Sequence, residues 1–535
     1  MFIKNKIQQI VKKAILETQR QGVLPKFEVG EILVVRSEKE MFGDYTTNVA
    51  MRISKLAKLA PQKVAEVIVN RILSFSEMKD MLCRVEVKTP GFINITLERS
   101  FLLKELEKIL REKEKYGALM GPKRNRVQVE FISANPTGKL HIGHGRGAFF
   151  GDVLANVLKK AGYKVRREYY INDSKESGQI KALGELVQGK ENSYKTKFVA
   201  RIIEEIQNPK SKIQNSGELG YLLAQKIQTY NRQFIEQKLK IHFDVWFSEE
   251  NLRQLGGVQK TINWLETFGF LYKKDGALWF KTIQFGDDKD RVLIRKNGEA
   301  TYFLSDIVYH RDKFERFDKI IDIWGADHHG YINRMKAVAA AMGRKEDLDI
   351  LIAQLVRLVK NGKEFKMSKR KGQVVDLEWL IDEVGLEVAR FFYLMKSLDC
   401  HMDFDLDRAK DISEKNPVFY IQYAYARICS ILKKTSTSYK LQAISYLEHP
   451  AELSLIRELI KFPELIEEIS KNYSVHHLPA YAISLADKFH NFYEKCRVLS
   501  DDKKLTLARL SLILAVKIVL KNVLNILGVR AKEKM

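Results

Sequence analysis

The stretch Val127-Gln-Val-Glu130-Phe-Ile-Ser-Ala-Asn135-Pro-Thr-Gly-Lys139-Leu-His141-Ile-Gly-His144 decides the fold. Val127, Val129 and Phe131 alternate with Gln128, Glu130 and Ile132, the period of a strand. Asn135-Pro136-Thr137-Gly138 interrupts the alternation, and a helical pattern runs from Gly145 to Ala161. His141 and His144 fall at the helix entrance and, three apart, share one face. Free backbone N–H groups and the positive end of the helix dipole make such an entrance attractive to phosphate. Gly162 closes the helix and Lys164–Tyr170 reads as a second strand. The whole has the length of a right-handed βαβ unit, so a parallel α/β architecture is expected.

Working outward, 535 residues exceed a single core, and roughly three domains of about 100 to 200 residues are expected. A hydrophobic content of 45% with 30% charged residues, 10 Pro and 30 Gly describes a folded chain without long disordered linkers. The net charge of +24 points to a polyanionic partner, although a diffusely basic surface would give the same sum. Cys83, Cys400, Cys429 and Cys496 are widely spaced, so neither a zinc site nor a disulfide framework is indicated, and a reduced cytoplasmic protein is expected. Ile3, Ile7, Ile10, Val11 and Ala14, interleaved with lysines, form a basic amphipathic helix that packs on its own domain rather than serving as a targeting segment. Leu505–Leu527 is strongly apolar, but Arg509, Lys517 and Lys521 interrupt it short of the ~20 residues a membrane span needs. It reads as a buried bundle helix, with no membrane contact.

Residues 1 to about 115 mix helices with short strands and read as an α+β appendage. Residues about 175 to 285 read as a mostly helical, lysine-rich insertion in the α/β domain. Arg291–Leu304 looks like two strands around an Asn297-Gly298 turn, with Asp306 opening a helix. Lys319–Trp324 reads as a buried strand ending in Gly325-Ala-Asp327-His328-His329-Gly330, and ligands of open α/β sheets gather at such strand ends. After about 395 the chain turns helical. No G-x-x-x-x-G-K-[ST] or G-x-G-x-x-G phosphate loop occurs. Lys366-Met367-Ser368-Lys369-Arg370-Lys371-Gly372 is either a solvated basic turn or a loop that carries ammonium groups to a polyphosphate.

Taken together, His141-Ile-Gly-His144 and Lys366-Met-Ser-Lys369-Arg resemble the paired signature of the class I aminoacyl-tRNA synthetases. Glu130–Thr137, Trp324–Gly330 and Asn416–Arg427 narrow the resemblance to arginyl-tRNA synthetase, and it covers essentially the whole chain. Phe42–Ala50 and Leu527–Met535 resemble that family's accessory regions at either end. The resemblance implies a Rossmann-like class I synthetase catalytic domain over 116–395, an N-terminal α+β tRNA-binding domain over 1–115 and a C-terminal all-α anticodon-binding bundle over 396–535. It implies ATP as substrate with Mg²⁺, L-arginine and tRNA(Arg) as partners, and arginine joined to the terminal adenosine of the tRNA through arginyl-adenylate. A monomer is expected, since such domains already wrap one RNA.

By motif match, His141 and His144 would donate to phosphoryl oxygens while Lys366 and Lys369 hold the outer phosphates. Gly143, Asp327, His328, Met367 and Ser368 would line the ATP site, with no metal-ligand cluster. Glu130 and Asn135 would meet the α-amino and carboxylate ends of arginine, and Tyr302 and Asp306 its guanidinium, whose rigid fork of donors pairs best with carboxylates. Read from the residues alone, Asp306 equally suits a helix N-cap and Tyr302 a strand. Tyr420, Tyr423 and Met535 match positions at the anticodon loop, where aromatic rings stack on unpaired bases, and Asn48 one that touches the D-loop. His476, His477 and His490 read as bundle residues.

Arg370 replaces the serine that usually ends the loop. Relatives without the second loop lysine carry one three residues before the first histidine. Here Gly138 holds that slot, Lys139 follows it, and Lys369 is kept. Another class I synthetase, an RNA-binding paralogue without catalysis, or an H-x-G-H nucleotidyltransferase are the alternatives. The nucleotidyltransferases lack a long helical C-terminal domain.

Overall fold

The computed structural model describes residues 2–535 apart from 38, 79, 207–214, 255, 366–374 and 436–440. Its centre is a five-stranded, wholly parallel sheet. In chain order the strands are Arg126–Glu130, Lys164–Ile171, Val245–Ser248, Lys319–Gly325 and Leu348–Ala353. In space they run third, second, first, fourth, fifth. The winding reverses between the first and fourth strands, so a crevice opens at their C-terminal ends.

The first strand is buried on both faces: Val127, Gln128, Val129, Glu130 and Phe131 are all inaccessible. The apolar/polar alternation in its sequence therefore separates an apolar layer, packed on the helix Ile142–Lys160, from a polar layer on the opposite face.

Segment 175–285 differs from the helical insertion expected of it. Helices Gly178–Val187, Lys197–Ile206 and Ser216–Gln233 are present, but Val245–Ser248 joins the central sheet as its edge strand beside Lys164–Ile171. Leu271–Lys274, Ala277–Phe280 and Arg291–Ile294 form a small antiparallel sheet. The hairpin expected over Arg291–Leu304 is half formed. Beyond the Asn297-Gly298 turn a single bridge joins Ile294 to Ala300, and Tyr302–Arg316 is a helix. Phe303, Leu304, Ile307 and Val308 all enter one core from that helix, and this packing overrides the strand propensity of Tyr302-Phe303.

At the N-terminus an antiparallel sheet, in the order Val34–Arg36, Tyr45–Thr47, Phe92–Leu97, Leu82–Lys88, is covered by helices. Ile3–Arg20 buries Ile3, Ile7, Ile10, Val11 and Ala14. After 395 a short strand, Met402–Asp405, pairs in parallel with Val356–Lys360 before the helices begin. The last helix, Lys503–Leu527, is long and apolar enough to cross a membrane, yet 72% of its most apolar window is buried inside the protein. Leu512, Val516, Val519 and Val523 are fully enclosed by the rest of the bundle.

Candidate active site

The first strand ends in a strained turn. Ile132 and Ser133 both lie at positive φ, 67° and 37°, in a region that a β-branched residue rarely enters. Neighbouring groups hold them there. Ser133 Oγ accepts from the Tyr170 N–H at 3.1 Å, and Ala134 N–H donates to the Tyr169 hydroxyl at 3.1 Å. The turn leaves Asn135 exposed and leads into Leu140-His141.

His141 is the N-cap of the helix Ile142–Lys160. Its Nδ1 accepts from the Gly143 N–H at 3.1 Å, while His144 Nδ1 accepts from the His141 N–H at 3.0 Å. The two rings lie 3.7 Å apart. Because each Nδ1 accepts a backbone proton, each neutral ring carries its own proton on Nε2. Burial pushes His141 below the ordinary histidine range, partly offset by Asp327, and pushes His144 down to about 3, with His141 adding to the effect. The pair is a fixed set of two neutral N–H donors.

A cleft of about 740 Å³ opens in front of these rings, at the switch point of the sheet. It brings together Glu130, Asn135, His141, Gly143, His144, Tyr302, Asp306, Asp327 and His328, which the sequence scatters over two hundred residues. Lys366, Met367, Ser368 and Lys369, with Arg370, lie outside the described residues.

The far wall is acidic. Asp306 stands in the second turn of Tyr302–Arg316, not at its cap, which is Thr301; capping therefore does not account for it. Its Oδ2 accepts from the Tyr331 hydroxyl at 2.7 Å, and burial raises its pKa above the usual aspartate value. Tyr302, at the helix start, is 57% exposed, and its hydroxyl accepts from the Gly178 N–H at 3.0 Å. Glu130 is buried and bonded to the Lys313 ammonium; burial pushes its carboxyl up against the pull of Lys313.

One cleft-lining carboxylate has no counterpart among the residues expected from the sequence. Glu249 directly follows the edge strand Val245–Ser248, lines the same cleft, is 5% exposed, and is pushed up to about 7 by burial. The only sequence signal for it is an acidic pair, Glu249-Glu250, after the short run Val245-Trp-Phe-Ser248.

Asp327 and His328 stand exposed on the turn after the fourth strand, 3.5 Å apart. Lys139 lines the cleft, but its ammonium is paired with Glu378 at 2.8 Å, and Glu378 also accepts from the Tyr230 hydroxyl and pairs with Lys238. Among the described residues no group of three His, Cys, Asp or Glu could hold a metal ion.

The remaining nominated positions lie elsewhere. Tyr420 and Tyr423 share a face of Pro417–Lys433, Tyr423 44% exposed, and their rings lie 4.8 and 6.0 Å from that of His490. His490 thus sits against the two tyrosines rather than deep in the bundle. Met535 is exposed, two residues beyond Glu533, which bonds Lys433 at 3.1 Å. Asn48 precedes the helix Val49–Ala57 with its side-chain oxygen buried and unpartnered.

Three family models match the chain: the arginyl tRNA synthetase N-terminal domain over residues 2–97, the class I (R) tRNA synthetase catalytic domain over 105–208 and 173–405, and the DALR anticodon-binding domain over 421–535. An arginine–tRNA ligase of Desulforamulus reducens is 41% identical over 100% of this chain and 99% of its own. That of Bacillus subtilis is 40% identical over 100% of this chain and 99% of its own. The Thermus thermophilus arginyl-tRNA synthetase structure covers 100% of both chains with a TM-score of 0.78 at 22% identity, a likeness of fold. With a catalytic-domain match over 105–405 and relatives similar from end to end, the chain belongs to the class I arginyl-tRNA synthetase family.

Proposed function

We propose that the family's reaction, ATP-dependent joining of arginine to tRNA, runs in the 740 Å³ cleft with its two walls in separate roles. The observation that carries this reading is the juxtaposition of two neutral histidine donors with a set of buried and half-buried carboxylates across one crevice. Arginine enters with its guanidinium between Asp306 and Glu249 beside Tyr302, its α-amino group toward Glu130, and its carboxylate near Asn135. The carboxylate attacks the α-phosphorus of ATP. The bond to the β-phosphate breaks, and diphosphate leaves.

Charge that develops on the α-phosphoryl oxygens meets the Nε2–H groups of His141 and His144. These stabilise the transition state by donation and move no proton. Gly143, Asp327 and His328 form the adenosine side of the site. Lys366 and Lys369, flanking Met367 and Ser368, hold the β- and γ-phosphates. The tRNA terminal adenosine then attacks the adenylate carbonyl through its 2′-hydroxyl, and AMP departs. Mg²⁺ bound to the ATP phosphates would offset their charge, beside the lysines that hold the β- and γ-phosphates.

Tyr420, Tyr423 and Met535 receive the anticodon loop and Asn48 the D-loop. The chain divides near 115 and 395 into appendage, catalytic and anticodon-binding parts. It works as a cytoplasmic monomer, away from membranes.

The test is ATP–pyrophosphate exchange with each amino acid, with and without tRNA. Exchange with arginine alone, and only when tRNA is present, is the expected result. Equal exchange with glutamate or glutamine would overturn it.

A further inference from the structure

Beneath the acidic wall the sheet and the helix Tyr302–Arg316 are separated by a layer of buried charge where an apolar core would ordinarily lie. Lys313 and Asp322 are wholly buried, and His310 is 4% exposed. The Lys313 ammonium bonds Asp322 at 2.8 Å and also Glu130, and it lies 4.2 Å from the centre of the Tyr309 ring. His310 Nε2 meets the other oxygen of Asp322 at 2.9 Å, and its Nδ1 meets the backbone carbonyl of Asp306 at 2.9 Å. Both partners of the ring are oxygens, one of a carboxylate and one of a backbone carbonyl. One strand residue, Asp322, is thereby tied through Lys313 to Glu130 and through His310 to the turn that carries Asp306.

Such a layer is costly to bury and is a weak source of stability, since well-packed apolar side chains of similar volume often serve a fold as well or better. Its geometry suggests another use. Glu130 lies at the end of a strand and Asp306 near the start of a helix; these are separate elements whose relative position packing alone fixes loosely. Recognition groups must be held within about 0.5 Å by the residues behind them to discriminate well.

We propose that Asp322, His310 and Lys313 form a positioning strut that sets the distance between the two ends of the amino-acid site, and so selects arginine by length. The inference rests on the reading of Glu130 and Asp306 as the residues that meet the α-amino and guanidinium ends. The three strut residues stand one layer behind the substrate and are positioning residues. Length is the property a charge count cannot read: homoarginine has the same guanidinium and the same amino group, one methylene further apart.

The experiment measures tRNA-dependent ATP–pyrophosphate exchange with arginine and with homoarginine for the full chain and for two variants. His310→Gln removes the ring that joins Asp322 to the backbone carbonyl of Asp306, one turn earlier in the same helix. Asp322→Asn keeps the shape and removes the shared charge, so either variant decides if the other does not fold. The expected result is a preference for arginine over homoarginine that falls about tenfold, within the roughly 10–200-fold that one methylene is worth. The KM for ATP should stay within about twofold, since the histidine wall is untouched. An unchanged preference, or KM values for arginine and ATP that rise together, overturns the strut and leaves only a role in folding. Asp306→Asn separates this from the underlying reading. If it leaves arginine use intact, the placement of arginine is wrong. If it abolishes arginine use while His310→Gln leaves the preference unchanged, only the strut fails.

Discussion

On the phosphate side of the cleft, His141 and His144 are neutral rings at a helix start, each locked by a backbone N–H on Nδ1. On the proposed arginine side, Glu130 and Glu249 are buried carboxylates and Asp306 a half-buried one, and the charges that offset two of them come from the layer behind. Burial acts on both walls in the same sense, against charge, with opposite consequences. It drives the histidines down and keeps them neutral donors suited to an anionic substrate that brings its own counter-ions. It drives the carboxylates up, so a bound cation favours their ionised forms. In the proposed arrangement specificity resides on the carboxylate wall, because an uncharged or shorter side chain leaves acceptors there unpaired. The histidine wall serves any ATP-dependent activation.

The largest effect should come from Asp306→Ala. Removing one partner of a desolvated ion pair costs about 2–5 kcal/mol, so kcat/KM for arginine should fall by about 10³-fold while KM for ATP holds. The check is exchange kinetics with the two substrates varied separately; a parallel loss for ATP would erase the distinction between the walls. His144→Ala should give the mirror image, with adenylate formation about 10²-fold slower in single turnover and the arginine dissociation constant unchanged.

Why one wall was legible and the other only in part follows from how each is built. The histidine wall is local: a strand, a turn and a helix entrance within Val127–His144, where alternation, Asn-Pro-Thr-Gly and the spacing of two histidines are all printed in order. The carboxylate wall is assembled from the ends of several strands and the starts of helices. Glu249 follows a strand of four residues, too short to show a period, and nothing in Ser248-Glu-Glu says that one carboxylate is enclosed. His310 and Lys313 follow Asp306 at helical spacing, a pattern identical to that of a solvated face. Only the tertiary packing of Tyr302–Arg316 on the sheet turns that stripe inward. The same packing converted the expected second hairpin strand into a helix, which moved Asp306 from a cap position to the wall.

Acidity offers a sharper test of the contrast. Glu249, pushed up to about 7 by burial, is largely ionised at pH 8 and largely protonated at pH 6. Guanidinium binding favours the ionised form, so KM for arginine should fall by about tenfold as pH rises from 6 to 8. His144, down at about 3, stays neutral over the same span, so it contributes no transition of its own to KM for ATP. In Glu249→Gln the arginine profile should flatten. A profile identical to that of the unaltered chain would remove Glu249 from the site.

The smallest effect tests whether a third group belongs to the phosphate wall. Lys139 lines the cleft one residue after the slot where some relatives carry a compensating lysine, and position alone would give it a phosphate to hold. Its partners say otherwise. The ammonium is bound to Glu378 at 2.8 Å and lies about 5 Å from the rings of Phe198 and Tyr230. Glu378 opens the helix Leu377–Val384, and Leu377 N–H and Ile142 N–H exchange bonds with Leu140 and Val375 carbonyls on either side of His141. Lys139 thus fastens the chain that emerges after residue 374 to the segment bearing the histidines. A partly exposed pair of this kind is worth about 1 kcal/mol. Lys139→Met should therefore slow adenylate formation less than about threefold, whereas a phosphate-holding lysine would cost about 10²-fold. The single-turnover rate of this variant, set beside that of His144→Ala, decides whether the wall holds two described donors or three.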